Sequence, residues 1–223
     1  MKRVIVISAH PDDEILGVGG TLLKHKNSGD ELAWLIITSV DERNGFSKDR
    51  VRTRGDEIAQ VSKCVGFSKV YQLNFPTMGL SSSTVNEMIP RISSIFIEFE
   101  PEIVYVMNRS DAHSDHRFTF QAVAACTKSF RYAFIHKVLM YECISETEFA
   151  AQLSENVFIP NYFVDITAFL DMKIQIMQIY KSELLEHPFP RSIANIKALA
   201  TFRGATVGVT YAEAFQVVKI IDK

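Results

Sequence analysis

His10-Pro11-Asp12-Asp13-Glu14 places one imidazole and three carboxylates within five residues, and Asp111-Ala112-His113-Ser114-Asp115-His116 places two of each within six. Imidazole nitrogens and carboxylate oxygens together are a donor set for divalent transition metals. A mononuclear catalytic site takes about three protein ligands and leaves one position for water. Of the five strongest candidates, His10, Asp12, Asp13, His113 and His116, two then remain for proton transfer. That division suits metal-assisted hydrolysis. The ion acidifies its water, a carboxylate takes the proton, and an imidazole opposite polarises the carbonyl or protonates the leaving group.

Each cluster alone has a plainer reading. An HxxD can be a helix-capping acid beside a structural histidine. His113-x-x-His116 can be a solvated helix start, with Asp115 a favourable charge on the helix dipole. Position joins them: each follows an apolar run, Val4-Ile5-Val6-Ile7 in one case and Ile103-Val104-Tyr105-Val106-Met107 in the other. Ligands of open α/β sheets bind where the carboxyl ends of strands meet.

The elements that would deliver these residues follow from periodicity. Strands are expected at 3–8, 31–38, 69–73 and 103–107, and the continuous apolar runs among them suit burial on both faces of a parallel sheet. Helices are expected after residue 13, closed by Asn27-Ser28-Gly29-Asp30, and then at 50–65, 84–98 and 116–130. Pro90 marks a kink or the true start of the third. Strand and helix thus alternate four times over residues 1–130, which predicts an α/β, Rossmann-like doubly wound sheet with helices on both faces. Residues 131–223 would complete the sheet and the pocket within one domain, with strands at 138–141 and 161–164 and a helix at 165–186 broken by His187-Pro188-Phe189-Pro190. Periodicity does not decide between strand and helix at 215–221.

Composition sets the outer bounds. A hydrophobic fraction of 47% with 16 Phe in 223 residues is enough for a large core. A formal charge of −2 gives no electrostatic case for nucleic acid or an anionic membrane. The apolar N-terminal run is too short for a signal peptide, and no stretch approaches a membrane span. Cys64, Cys126 and Cys143 are scattered and odd in number without a CxxC, so they read as buried thiols of a cytoplasmic protein. Gly17-Val18-Gly19-Gly20 fails the dinucleotide fingerprint because Leu22 holds the third glycine position. Close packing of the first helix on the sheet is the better reading of those glycines. His25, His136 and His187 are isolated, and Cys143 has no paired base nearby in sequence.

The motifs Ala9-His10-Pro11-Asp12-Asp13-Glu14, Gly19-Gly20-Thr21-Leu22 and His113-Ser114-Asp115-His116 resemble those of the PIG-L/LmbE-type metal-dependent de-N-acetylases. Those enzymes act on N-acetylglucosamine conjugates and related small molecules. Arg54-Gly55-Asp56-Glu57, Val164-Asp165-Ile166-Thr167 with Lys173, and Gly204 with Tyr211-Ala212-Glu213-Ala214-Phe215 extend the resemblance over essentially the whole chain. It implies that His10, Asp13 and His116 hold zinc, ferrous iron or another divalent ion. It further implies Asp12 as general base, His113 as the group that steadies the oxyanion or protonates the amine, Asp115 as the carboxylate orienting a histidine, and Arg54 as a substrate contact. A small glycoconjugate substrate and a homotrimer or homohexamer are also implied.

Two positions depart from the family pattern. Val40 stands where a glycine is usual after the second strand, and Ser114 where the second motif has proline. The first bears on the substrate loop. Rival readings are an amidase of the same family acting on a non-sugar or antibiotic amide, and a non-catalytic Rossmann-like ligand-binding module. Glu14 receives no role beyond helix-start electrostatics.

Overall fold

The strands that read as unbroken apolar runs are those covered on both faces. The computed structural model describes residues 1–222. Its parallel core contains β1 (Arg3–Ser8), β2 (Glu31–Ser39), β3 (Lys69–Pro76), β4 (Ile103–Met107) and β5 (Lys137–Tyr141). The inner strands β1, β2 and β4 are almost wholly buried, whereas the edge strand β3 alternates toward solvent. β6 (Tyr162–Asp165) and β7 (Ala212–Ile220) extend the sheet to the order β3-β2-β1-β4-β5-β7-β6, with β7 antiparallel to both its neighbours. The tail is therefore a strand.

Helices α1 (Asp13–Asn27) and α2 (Lys48–Val65) pack against each other, as do α3 (Ser82–Phe99) and α4 (Ser114–Ala125). Right-handed crossovers put the first pair on one face and the second pair on the other. The doubly wound expectation is met. α3 begins at Ser82, with Thr84 Oγ1 accepting from Ser81 N at 2.8 Å, so Pro90 lies inside the helix rather than at its start.

The C-terminal third departs most from expectation. The helix expected at 165–186 shrinks to α5 (Leu170–Met177), while α6 (Ile193–Ala205) has no counterpart among the expected elements. α6 buries only Ile196, Ala200 and Gly204, a narrow stripe of mostly small residues in an otherwise apolar segment, so no 3.6-residue pattern stands out. After α5 the chain leaves helical geometry, and Tyr180 enters the core and bonds to Glu14. Tertiary contacts there override local propensity. Cys126 and Cys143 are buried free thiols, but Cys64 is exposed on α2, which corrects the expectation that all three are buried. No helix among the described residues is long and apolar enough to cross a membrane.

Two devices fix α1, and with it the first cluster, against the sheet. A Cβ on Gly17 would fall 2.2 Å from the Tyr141 ring, whose hydroxyl donates to Ile7 O at 2.8 Å. Gly17→Ala is expected to destabilise the fold by about 1–3 kcal/mol, read as a lower urea midpoint. Further along, the buried Glu213 carboxylate accepts from Gly20 N (2.8 Å), Thr21 N (2.7 Å) and Lys173 Nζ (2.7 Å), while the same ammonium donates to Leu16 O at 2.8 Å. A buried ion pair so fully hydrogen-bonded locks α5 and β7 onto α1.

Candidate metal centre and active site

β1 has β2 on one side and β4 on the other, and the chain winds away from it in opposite directions. The crevice at such a switch point is where this class of sheet binds ligands. His10–Glu14 leaves the end of β1, Asp111–His116 leaves the end of β4, and the two segments meet there. A cavity of about 330 Å³ is lined by His10, Asp12, Asp13, Arg54, His113 and His116. A larger one, about 600 Å³, lies between the 142–158 segment and α6 and is lined by none of these side chains, so the smaller cavity is the candidate site.

Ligand atoms of His10, Asp13 and His116 all lie within 4.8 Å of one another. Each imidazole has one nitrogen tied to a carboxylate: His116 Nδ1 to Asp111 Oδ2 at 2.8 Å, and His10 Nε2 to Asp115 Oδ2 at 3.0 Å. Those bonds assign a proton to the tied nitrogen and leave a lone pair on the other. The free His116 Nε2 stands 3.3 Å from Asp13 Oδ1, and His10 Nδ1 stands 3.9 Å from Asp13 Oδ2. His116 Nε2 is buried and makes no hydrogen bond among the described residues. An orphaned buried nitrogen facing a carboxylate is what a divalent cation would satisfy, and the paired carboxylates behind the rings are the support such ligands need.

Electrostatics agree. Burial alone would raise the Asp13 carboxyl, but the facing His116 imidazole and then His10 outweigh it and hold it below the usual range. Burial would lower His116, yet the Asp13 charge and the Asp111 hydrogen bond raise it well above normal. This pocket stabilises positive charge between the two. His10, His113 and Asp115 also come within metal-ligand distance. That set is poorer, because Asp115 already accepts from the His10 ring, Met78 N (2.8 Å) and Leu80 N (3.2 Å), and His113 Nδ1 accepts from Asp115 N (3.1 Å).

Asp12 sits at φ 146°, a conformation that costs a non-glycine residue about 1–3 kcal/mol. Glu14 holds it there. One Glu14 oxygen accepts from Asp12 N at 3.0 Å and the other from the Tyr180 hydroxyl at 2.7 Å. Burial pushes Glu14 up to about 8. Burial, reinforced by the Asp13 charge, also raises the Asp12 carboxyl well above its ordinary value. A carboxylate so raised is a stronger base, the property proton abstraction requires. His113 caps α4, and because its Nδ1 accepts from Asp115 N, the ring proton is on Nε2. Burial, with the neighbouring His10 and His116, pushes it down to about 4, so it is neutral at neutral pH and offers an N–H rather than an imidazolium.

Arg54 lies in the cavity wall, but its guanidinium is turned into the protein. Nη1 donates to Pro11 O at 2.8 Å, Nη2 to Glu183, and Nε lies 3.4 Å from Glu57. It braces the His10–Asp13 turn. The partly exposed arginines of the wall are Arg50 and Arg191. Sequence reasoning assigned nothing to Arg191, Glu183, Tyr180 or Asp111. Asp111 belonged to the second cluster, yet only the fold shows that it holds His116, itself fixed by Asn108 Nδ2 (3.0 Å) and Thr147 Oγ1 (2.7 Å). Val40 is in the cavity wall as well.

The sequence profile described as PIG-L, GlcNAc-PI de-N-acetylase, matches residues 5–127, the stretch that carries both clusters. The chain belongs to that family. The PIG-L likeness reaches beyond the matched stretch. A diacetylchitobiose deacetylase of Thermococcus kodakarensis is 25% identical over 230 residues, covering 98% of this chain and 84% of that protein. The uncharacterized deacetylase YaiS of Escherichia coli is 29% identical over 162 residues, covering 70% of this chain and 82% of that one. Among solved structures, a conserved protein from Thermus thermophilus, TT1542, superimposes with a TM-score of 0.79 at 25% identity, covering 100% of this chain and 97% of its own.

Proposed function

We propose that this protein, a deacetylase by family, hydrolyses the acetamide of an N-acetylated amino sugar to acetate and a free amine, with zinc or iron(II) held by His10, Asp13 and His116. The bare, buried His116 Nε2 facing Asp13 carries the reading, with Asp12 in the next position of the same turn. The Thermococcus relative, a diacetylchitobiose deacetylase, supports a sugar amide over other amides. Unpaired thiols suit the reducing cytoplasm. Residues 131–223 complete the pocket of a single domain by supplying Glu183 and Arg191 to its wall.

When bound, the ion supplies Lewis acidity and lowers the pKa of water at the site. Asp12 takes a proton from the attacking water as its oxygen bonds to the acetyl carbon. The His113 Nε2–H donates a hydrogen bond to the oxygen that becomes negative. Asp12 then returns the proton to the nitrogen as the C–N bond breaks, so one water is consumed per acetate and amine. Asp111 and Asp115 keep His116 and His10 oriented throughout.

The reading is tested by supplying zinc or iron(II) and measuring acetate and amine from diacetylchitobiose, N-acetylglucosamine, N-acetylglucosamine 1-phosphate and a set of N-acetylated peptides. Equal yields of both products from at least one sugar are expected. Release only from N-acetylated peptides would instead support the amidase alternative.

A further inference from the structure

Three arginines gather on one carboxylate in the cavity wall. Glu183 Oε1 accepts from Arg50 Nη2 at 2.7 Å and from Arg54 Nη2, and Glu183 Oε2 lies 3.4 Å from Arg191 Nη2. With Glu57 and Asp12 counted, three guanidinium charges face three carboxylates. Arg54 is engaged on all sides, and Arg50 is drawn to Glu183. Arg191 is different. Its Nε is buried with no hydrogen-bond partner among the described residues, and its two charge contacts are long, 3.4 Å to Glu183 and 3.8 Å to Asp12. The Phe189 ring lies 5.7 Å from its guanidinium carbon, and its side chain keeps 24% of its accessibility. A supported, partly desolvated guanidinium with unengaged N–H groups is a planar fork matched to a carboxylate or phosphate.

We propose that Arg191 recognises an anionic group on the substrate, a carboxylate or phosphate carried close to the scissile acetamide, so that the substrate is an acidic N-acetylated sugar. The proposal rests on the deacetylase reading of the cavity and specifies its substrate class. Arg191 Nη1 is 3.8 Å from the Asp12 carboxylate, so the anion it binds must lie within a few ångströms of the amide that Asp12 serves. A substituent on a ring carbon next to the one bearing nitrogen meets that reach. Arg50, beside it in the same wall, adds a second positive charge. The competing role for Arg191, balancing the charge of Asp12, would act on every substrate alike.

The experiment compares kcat/KM for N-acetylglucosamine 1-phosphate, N-acetylmuramic acid and the neutral methyl N-acetylglucosaminide. The first two carry their anions on the carbons flanking the acetamido carbon. At least one acidic probe is expected to exceed the neutral one by roughly tenfold to a hundredfold, chiefly through KM. Arg191→Gln should bring that ratio to about one, and Arg191→Lys should keep part of it because charge remains while the fork is lost. The acidic probe with the larger ratio identifies phosphate or carboxylate as the group bound. Equal kcat/KM for all three in the wild type, or an Arg191→Gln enzyme slowed in equal proportion on all three, overturns the proposal.

Calorimetric binding of glucosamine 1-phosphate, muramic acid and methyl glucosaminide separates it from the reading beneath it. Arg191-dependent binding of an acidic amine without hydrolysis of any probe keeps the anion site and removes the deacetylase. Acetate release without Arg191-dependent binding does the reverse.

Discussion

Asp12→Asn is expected to slow turnover by roughly 10²- to 10⁴-fold while the protein keeps its full complement of metal. Asparagine fills the same volume and tolerates a positive φ, so the turn built on Asp12 N and Glu14 survives. It cannot take a proton. The three candidate ligands are untouched, because Asp13 Oδ1 and Oδ2 face His116 and His10 independently of the Asp12 side chain. Metal analysis and acetate release on one preparation check both halves of the expectation. An Asp12→Asn enzyme within a few-fold of wild type would move the base elsewhere.

His116→Ala is expected to do the opposite: metal is lost, and activity with it. The substitution removes a ligand and leaves two buried carboxylates, Asp13 and Asp111, facing the space where the imidazole stood. Breaking a buried charge pair from one side costs about 3–5 kcal/mol, so the metal-free variant should also unfold at lower urea than metal-free wild type. Urea titration in chelator, beside metal content, separates this variant from Asp12→Asn, which should change stability little. Stoichiometric metal in His116→Ala would mean that His10, Asp13 and His116 are not the site.

The contrast between these two residues shows what the chain alone could reveal. β1, β2 and β4 were legible because burial on both faces demands unbroken apolar runs, and the clusters were legible because charge at the end of such a run is rare. Which carboxylate serves which imidazole was not. Asp115 is adjacent to His116 in sequence yet bonds to His10, 105 positions away, while Asp111 turns back to His116. Spacing cannot carry that information, since Asp111 in the loop and Asp115 in the first turn of α4 are four residues apart and both near His116 in sequence. Arg54 was found by its motif, but its partners Glu183 and Pro11 come from distant segments, and only the fold shows its guanidinium bonded to them. Glu14 reads as a helix-start charge until Tyr180, 166 residues later, is placed against it. Nothing local marks Tyr180 or Arg191: Tyr180 lies inside the segment expected to be helical and leaves it only through its bond to Glu14, and Arg191 follows the break at 187–190.

The central claim is that one divalent ion between His10, Asp13 and His116 enables amide hydrolysis. Its most direct test is to strip the protein with chelator, then add zinc or iron(II) in steps while following acetate release from the sugar that the wild-type enzyme hydrolyses best. Activity should be absent at the start and should rise to a plateau at one equivalent per chain. Undiminished acetate release from the stripped protein would contradict the account.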